Sequence, residues 1–509
     1  MPSTSQHGPG AELEIKLALP TADPASLARQ LARLPALARR KPVRKQVDNI
    51  YFDTPAQALR AQRMALRLRR VGGDDAPQWL QTFKTSDGGD SALSLRGEWE
   101  VPVPGPALVQ AALQAAPPWQ RLDPEGAVFA ALQPCFATAF ERTAWTVRRR
   151  DGSVIEVALD LGQITSGQRS VPICELELEL LAGAPTALFD LARHIALHIA
   201  VLPLAASKAQ RGHALRDGTL DTPLRARPQP LGGDVAWHHM VQPVLGEMFA
   251  QFTANLNALR HCDDPELVHQ ARVGWRRFRG AVRLFKPAVP AQALPSWQGL
   301  QPLLTALGEL RDLDVACTQT LPALQDAFVA GHAGRAERWQ AMEQAFQQAA
   351  LQQRQRVRQA LQEPPVGAAL LAITLWLDEL ARPEAWGAQD ISGKAVRRWV
   401  RQRMVRLHAQ WKKALRDSTH AESQHRARIL AKRLRYNIEA LCPLLPARTQ
   451  RWLQQASGVQ AGIGASRDLL QAGVLAQRLA VDRGIVAFLR GYAAGRAGVP
   501  WASQLPGSV

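Results

Sequence analysis

Charged and apolar residues alternate with a period of two in run after run between positions 11 and 180. Examples are Glu12-Leu-Glu14-Ile-Lys16-Leu, Leu66-Arg67-Leu68-Arg69, Glu98-Trp-Glu100-Val and Glu175-Leu-Glu177-Leu-Glu179-Leu. Successive side chains of a strand point to opposite faces, so each run places its charges on one face and its apolar groups on the other. The pattern predicts eight strands, at 11–19, 44–53, 63–72, 78–85, 93–103, 138–148, 153–160 and 171–181. Turn signals stand at Gly72-Gly73-Asp74, Asp87-Gly88-Gly89 and Asp151-Gly152, and helices are predicted at 24–34, 106–116 and 185–200. One such strand taken alone reads as a half-exposed antiparallel sheet, apolar in and charged out. Several with both signs of charge on one face admit a second arrangement, an eight-stranded sheet closed into a barrel with helices over its apolar side and charges pointing inward. Interior charges are costly unless paired or bound to metal. That arrangement therefore implies a site for a multiply charged, metal-complexed anion, with carboxylates holding Mg²⁺ or Mn²⁺ and Lys/Arg gripping phosphate oxygens.

The period changes at about residue 235, after a Pro- and Gly-rich linker at 216–234, and the rest reads as helix, rich in Leu, Ala, Gln and Arg. The fold class expected is thus multidomain: an N-terminal α+β eight-stranded antiparallel tunnel barrel with flanking helices, then a C-terminal all-α bundle over 235–495. Charge divides at the same place. Residues up to 220 hold 25 Lys+Arg against 22 Asp+Glu, and those beyond hold 37 against 22, so most of the net +18 lies in the helical part. Such a half is suited to a polyanion; nucleic acid, a phosphate polymer or a phosphate-rich small molecule all qualify, though no nucleic-acid-binding motif is present. The helical part also repeats itself. His269, Arg272, Arg276 and Arg279 recur 156 residues later as His425, Arg428, Lys432 and Arg435, and Gly308, Arg311 and Asp312 recur as Gly464, Arg467 and Asp468. An internal two-fold repeat is expected, with halves around 240–390 and 391–495. The spacing i, i+3, i+7, i+10 puts each basic set on one helix face. Like charges so stacked destabilise a helix, which points to a bound anion.

Five scattered cysteines with no Cys-x-x-Cys pair exclude a disulfide framework and a zinc ribbon, and favour a reducing cytoplasm. The first residues, MPSTSQHGPG, lack the basic and apolar regions of a signal peptide. The longest predominantly apolar run, Val366 to Leu377, is 12 residues, too short to span a bilayer, so no membrane partner is expected. His194 and His198 stand at i, i+4 with no third ligand nearby, which favours packing over metal.

The ordered series Glu12-x-Glu14-x-Lys16, Tyr51-Phe-Asp-Thr54, Ala65-Leu-Arg67-Leu-Arg69, Thr82-Phe-Lys84, Arg96-Gly-Glu98-Trp-Glu100, Glu141-Arg142, Val157-Ala-Leu-Asp160, Glu175-Leu-Glu177-Leu-Glu179 and Ser207-Lys208-Ala-Gln-Arg211-Gly212 resembles the CYTH domains, the triphosphate tunnel metalloenzymes, over about 11–215. That resemblance implies an eight-stranded tunnel in which Glu12, Glu14, Asp160, Glu175 and Glu177 hold one or two divalent cations. It implies that Lys16, Arg67, Arg69, Lys84, Arg142 and Lys208 grip a triphosphate, with Glu98 and then Glu100 as orienting acceptors. Lys45, or Arg44 beside it, is a further candidate tunnel base on the second strand. The helical half resembles the CHAD domain through its two His-x₂-Arg helices and the downstream Arg311-Asp312 and Arg467-Asp468. This second resemblance implies binding of inorganic polyphosphate by His269, Arg272, Arg276, Arg279, His425, Arg428, Lys432 and Arg435. Together they imply a cytoplasmic, Mg²⁺- or Mn²⁺-dependent inorganic triphosphatase acting on tripolyphosphate, associated with polyphosphate granules. The alternatives are a non-catalytic polyphosphate-binding protein, or another CYTH activity such as a thiamine triphosphatase or class IV adenylate cyclase. Nucleic acid is the disfavoured partner.

Overall fold

A computed structural model describes residues 11–21, 23–72, 77–86, 91–227, 230–232, 235–289, 294–332, 334–387, 393–417 and 421–497. The predicted turn at 87–89, most of that at 72–74, parts of the linker and the end of the tail lie outside the described residues. The chain divides into two compact units. One runs to Thr222 and adds Pro295–Leu300 and Leu361–Trp376; the other comprises Pro223–Leu294, Gln301–Ala360 and Leu377 onward. The apolar run beginning at Val366, which the sequence alone places in the helical half, therefore belongs largely to the first unit. There Leu371 and Leu375 join a buried core with Ile15, Leu17, Leu176 and Leu188, since an apolar helix settles wherever core surface remains to be covered.

In the first unit the strands are β1 (Ala11–Ala18), β2 (Val43–Asp53), β3 (Met64–Val71), β4 (Gln78–Ser86), β5 (Leu93–Val103), β6 (Gln133–Arg148), β7 (Val154–Ser166), β8 (Arg169–Ala182) and β9 (Leu202–Pro203). The helices are α1 (Leu27–Ala32), α2 (Ala58–Ala61), α3 (Pro117–Leu122), α4 (Ala127–Ala130), α5 (Pro185–Ala196) and α6 (Lys208–Arg216). The sheet order is β5-β4-β3-β2-β6-β7-β8-β1-β9, every pair antiparallel, and β5 pairs back onto β1, so the sheet curls closed. Among the described residues nine strands are present where alternation predicts eight. The ninth is two residues long, too short for any period to reveal. β7 also runs six residues past its predicted end. Gly162 permits this, because a Cβ there would stand 2.1 Å from the Ala139 carbonyl oxygen on β6. The pleat then decides what faces where. Ile15, Leu17, Val157, Leu159, Leu176 and Leu178 are buried against α1 and α5, whose Leu27, Leu31, Leu188, Leu191 and Ile195 cover them. The alternate residues of the same strands, Glu14, Lys16, Asp160, Glu175 and Glu177, face the other way.

The second unit is helical: α7 (Trp237–Ala258), α8 (Pro265–Phe285), α9 (Gln301–Val315), α10 (Gln325–Val329), α11 (Gly334–Leu361), α12 (Pro364–Leu380, shared with the first unit), α13 (Lys394–Arg416), α14 (Ala421–Leu441), α15 (Thr449–Arg478) and α16 (Arg483–Ala497). Helix α8 shows how sequence starts such an element. Asp264 accepts a hydrogen bond from the Glu266 amide at 2.7 Å, Pro265 fills the first helical position, and Glu266 lies at the positive end of the dipole. Leu267, Ala271, Trp275, Phe278, Val282 and Phe285 then bury one face. Inside, the Arg277 guanidinium (2% exposed) donates to Glu247 at 2.8 Å and to Gln251 at 2.6 Å, fixing α8 against α7. A separate core gathers Leu313, Trp339, Phe346, Leu475 and Leu489 from α9, α11, α15 and α16. Among the described residues no single helix is long and apolar enough to cross a membrane.

Candidate active site and anion-binding cluster

Strand register builds the charged cluster of the first unit. Lys16 stands opposite Glu177 across β1 and β8, Arg142 opposite Asp160 across β6 and β7, Asp160 opposite Glu175 across β7 and β8, and Lys84 opposite Glu98 across β4 and β5. Unlike charges thus meet mainly as cross-strand neighbours. Arg142 forks onto Asp160 with two bonds of 2.7 Å and donates to Glu177 Oε2 at 2.5 Å. Lys16 pairs with Glu14 and lies 3.4 Å from Glu177 Oε1. Lys84 Nζ is 2.6 Å from Glu98, Arg67 is 3.5 Å from Glu98 and 3.8 Å from Glu100, and Arg69 is 3.4 Å from Glu100.

Helix α6 supplies the rest. Ser207 and Gln210 form a reciprocal capping box, which sets the first turn so that Lys208 points inward. Its ammonium donates to Asp160 Oδ2 at 2.7 Å, to Glu177 Oε1 at 3.1 Å and to Glu175. Asp160 and Glu175 are fully buried, and each offers an oxygen that, with one from Glu177, falls in a group spanning at most 4.8 Å. Three hard oxygen donors at that separation fit a Mg²⁺- or Mn²⁺-sized ion.

Electrostatics follow from burial and pairing. Burial alone raises the Glu177 carboxyl, but Lys16, Lys208, Arg142 and Lys84 outweigh it and hold the group well below the usual carboxylate range. Burial likewise opposes the charge on Lys208, yet Asp160, Glu175 and Glu177 raise its pKa. Arg69 differs: burial and the adjacent Arg67 bring it down to about 10.

Eleven tunnel residues expected from the sequence thus fall into two sets of ion pairs, Glu14, Lys16, Arg142, Asp160, Glu175, Glu177 and Lys208 in one and Arg67, Arg69, Lys84 and Glu98 in the other, with the charge of Lys84 acting on Glu177 between them. Glu12 lies on β1, but its side chain is outside the described residues. Lys45 is exposed on β2. His194 and His198 stack edge-on at 5.3 Å and belong to no three-ligand group among the described residues. Four participants are given no site role by the sequence reading, although Tyr51, Thr82 and Arg211 stand in the motif series. Arg211 pairs with Glu175, the Thr82 hydroxyl donates to Glu100 at 2.7 Å, the Ser94 hydroxyl donates to Glu14 at 3.0 Å, and Tyr51 is buried beside Arg67. Arg211 was legible, being three residues beyond Lys208 on the same helix face; the neutral groups carry no such mark.

The cluster of the second unit is of another kind. Arg272 interacts electrostatically with Arg276, Asp312, Arg311 and Arg467, and Lys432 with Arg276, Arg428, Arg467 and Arg435, so α8, α9, α14 and α15 bring their cations together. Burial and these like charges lower Arg272 to about 10 and Lys432 to about 7. Burial, then Arg311, lowers His269 to about 4, leaving it neutral at pH 7. Burial raises Asp312 and Asp468, although arginines flank both. A Cβ at Gly308 would stand 3.1 Å from the Arg272 guanidinium, so α9 passes close under that side chain. Arg279 is half-buried, and the charge that lowers it beside burial is that of Arg283, one turn further along α8. The His425 side chain lies outside the described residues.

Residues 10–213 match the family model of the CYTH domain, and residues 243–477 match that of the CHAD domain. An inorganic triphosphatase from Haemophilus influenzae is 33% identical over 205 residues, which cover 40% of this chain and 54% of that protein. The chain thus spans about half the length of that curated relative. Among solved structures, the CHAD domain from the plant Ricinus communis is 30% identical with a TM-score of 0.46, covering 56% of this chain and 93% of that one. A Hippeastrum protein described as a putative adenylyl cyclase with a dominant triphosphatase activity is 21% identical with a TM-score of 0.31, covering 41% of this chain and 97% of that one.

Proposed function

This chain joins a CYTH domain to a CHAD domain, and from that premise we propose that its tunnel is a metal-dependent inorganic triphosphatase and its helical half a polyphosphate-binding module. The tunnel hydrolyses tripolyphosphate to pyrophosphate and phosphate. The observation that carries this reading is the convergence of Asp160, Glu175 and Glu177 within one wall of a closed sheet lined by Lys16, Arg67, Arg69, Lys84, Arg142 and Lys208. Asp160, Glu175 and Glu177, with Glu12 and Glu14, hold the divalent cation, which when bound supplies charge neutralisation at the phosphate oxygens and polarises a water. Arg67, Arg69 and Lys84 grip the far phosphates, while Arg142 and Lys208 neutralise the phosphoryl group being transferred. Glu98 and Glu100 orient the arginines beside them. Phosphoryl transfer needs mainly positioning and charge stabilisation, so no side-chain nucleophile is required.

In the helical half, His269, Arg272, Arg276, Arg279, His425, Arg428, Lys432 and Arg435 serve polyphosphate, those that converge relieving their mutual repulsion on the anion. The place of action this reading implies is the cytoplasm, on polyphosphate granules. The experiment is phosphate release from tripolyphosphate with and without Mg²⁺ or Mn²⁺, wild type beside Glu175→Gln/Glu177→Gln. Metal-dependent release lost in the variant supports the reading. Absence of release from a protein that still binds polyphosphate replaces it with a non-catalytic binding role, and cyclic AMP from ATP replaces it with a cyclase.

A further inference from the structure

Helix α13 (Lys394–Arg416) is absent from the clusters above, yet it carries nine Lys and Arg and no acidic residue. Val396, Val400, Met404, Leu407, Trp411 and Ala414 bury one face. At about 100° per residue, Lys394, Arg398, Arg401, Lys412 and Arg416 fall within about 60° of one another on the opposite face. All five are exposed, with Val405, 48% exposed, in the gap between them. The stripe is straight and about 33 Å long, from 22 steps of about 1.5 Å.

Two features of this stripe oppose the helix that carries it. Its first turn places basic residues at the positive end of the dipole with no acid to offset them. Lys394, Arg398 and Arg401 also stack at i+4 and i+3 as like charges. Among the described residues none of the five makes an ion pair with a carboxylate; Lys412 lies over the Trp411 ring at 5.8 Å, and its charge acts on His408. Bundle packing does not require them, for α7, which precedes α8 as α13 precedes α14, holds no Lys or Arg in 22 residues.

We infer that the exposed face of α13 is a second docking surface for polyphosphate, engaging long chains that extend beyond the α8–α14 cluster. It rests on the polyphosphate reading given above and adds a site to it. A linear phosphate chain matches a narrow, straight row of point charges. Single-stranded nucleic acid is matched less well, since Trp411 is buried and Trp399 is half-buried beneath Arg403, leaving no aromatic platform for bases on this helix. A membrane surface is matched less well because Val405 alone offers exposed apolar bulk along the row.

The test uses the full chain carrying Lys394→Gln, Arg398→Gln, Arg401→Gln, Lys412→Gln and Arg416→Gln together, beside Arg398→Lys/Arg401→Lys/Arg416→Lys as the charge-retaining control. Affinity for polyphosphate of ~100 units and for tripolyphosphate is measured over a salt series. Long-chain affinity is expected to fall on the order of 10- to 100-fold at about 0.1 M salt, with a log–log salt slope shallower by about 3. Tripolyphosphate hydrolysis and the control variant stay unchanged. Unaltered long-chain affinity and slope in a variant with native circular dichroism overturns the inference. Duplex DNA or anionic vesicles binding through this face more tightly than polyphosphate overturns it in favour of that partner. Arg272→Gln/Arg276→Gln separates the two sites, and a wild type that binds no polyphosphate removes the underlying reading and this inference together.

Discussion

The two charged clusters obey opposite rules. In the tunnel, sheet register sets Arg142 opposite Asp160, Lys16 opposite Glu177 and Lys84 opposite Glu98, and helix α6 brings Lys208 to Asp160 and Glu175, which register sets side by side. In the helical unit, like charges converge from four helices, and Lys432 faces Arg276, Arg428, Arg467 and Arg435. The first arrangement is nearly self-neutralised: its ionised forms survive burial, and Glu177 lies well below its ordinary pKa. The second is not: Lys432, lowered to about 7, gives up part of its charge at neutral pH, and His269, lowered to about 4, is neutral. A compensated cluster stands without a ligand and exchanges one set of pairs for another on binding. An uncompensated one is completed by the anion.

The largest effect that sharpens this contrast is catalytic. Removing the carboxylate pair in Glu175→Gln/Glu177→Gln forfeits several kcal/mol of charge stabilisation, on the order of a 10³-fold loss of tripolyphosphate hydrolysis, while polyphosphate binding by the helical half is expected to persist. Stability separates the clusters next. Lys208→Met leaves buried Asp160 and Glu175 short of a cation and is expected to cost about 3 kcal/mol in urea unfolding. Lys432→Met removes a repelled charge and is expected to cost nothing or to stabilise. An equal loss from both would break the comparison.

Acid–base behaviour gives a smaller signal with a definite sign. Lys432 titrates at about 7 when folded against 10.5 ordinarily, so between those values the unfolded chain holds the extra proton and stability rises with pH. Below about 7 both states are charged and the penalty is complete. Lys432→Gln should flatten that rise, measured as midpoint shifts from pH 6 to about 10. Polyphosphate affinity should slope the other way, falling above about pH 7 as the site loses its proton. The smallest effect is expected at Gly308→Ala. Helix propensity gains up to about 1 kcal/mol, while a Cβ 3.1 Å from the Arg272 guanidinium weakens polyphosphate binding several-fold.

Alternation exposed the tunnel because Glu14, Lys16, Glu175 and Glu177 sit on long strands with one apolar and one charged face. It could not expose Thr82, Ser94 or Tyr51, whose neutral side chains look the same in a lumen as in any strand. Helical spacing exposed His269, Arg272, Arg276 and Arg279 on one face, but not the charges that other helices bring to that face, because spacing is local to one helix. The apolar run from Val366 was visible as helix, but its destination was not: nothing local distinguishes one hydrophobic core from another.

The sequence by itself determined which residues share a face, because the periods of strand and helix are properties of the backbone and are written locally. It also determined the division of charge between the two units. Only tertiary structure decided which faces meet. Register across β6, β7 and β8 joined Arg142, Asp160, Glu175 and Glu177, the capping box at Ser207 delivered Lys208 to them, and packing of four helices drew together cations up to 195 positions apart between Arg272 and Arg467. Those encounters depend on closing long loops and filling cores, and such long-range terms leave no local signature in the chain.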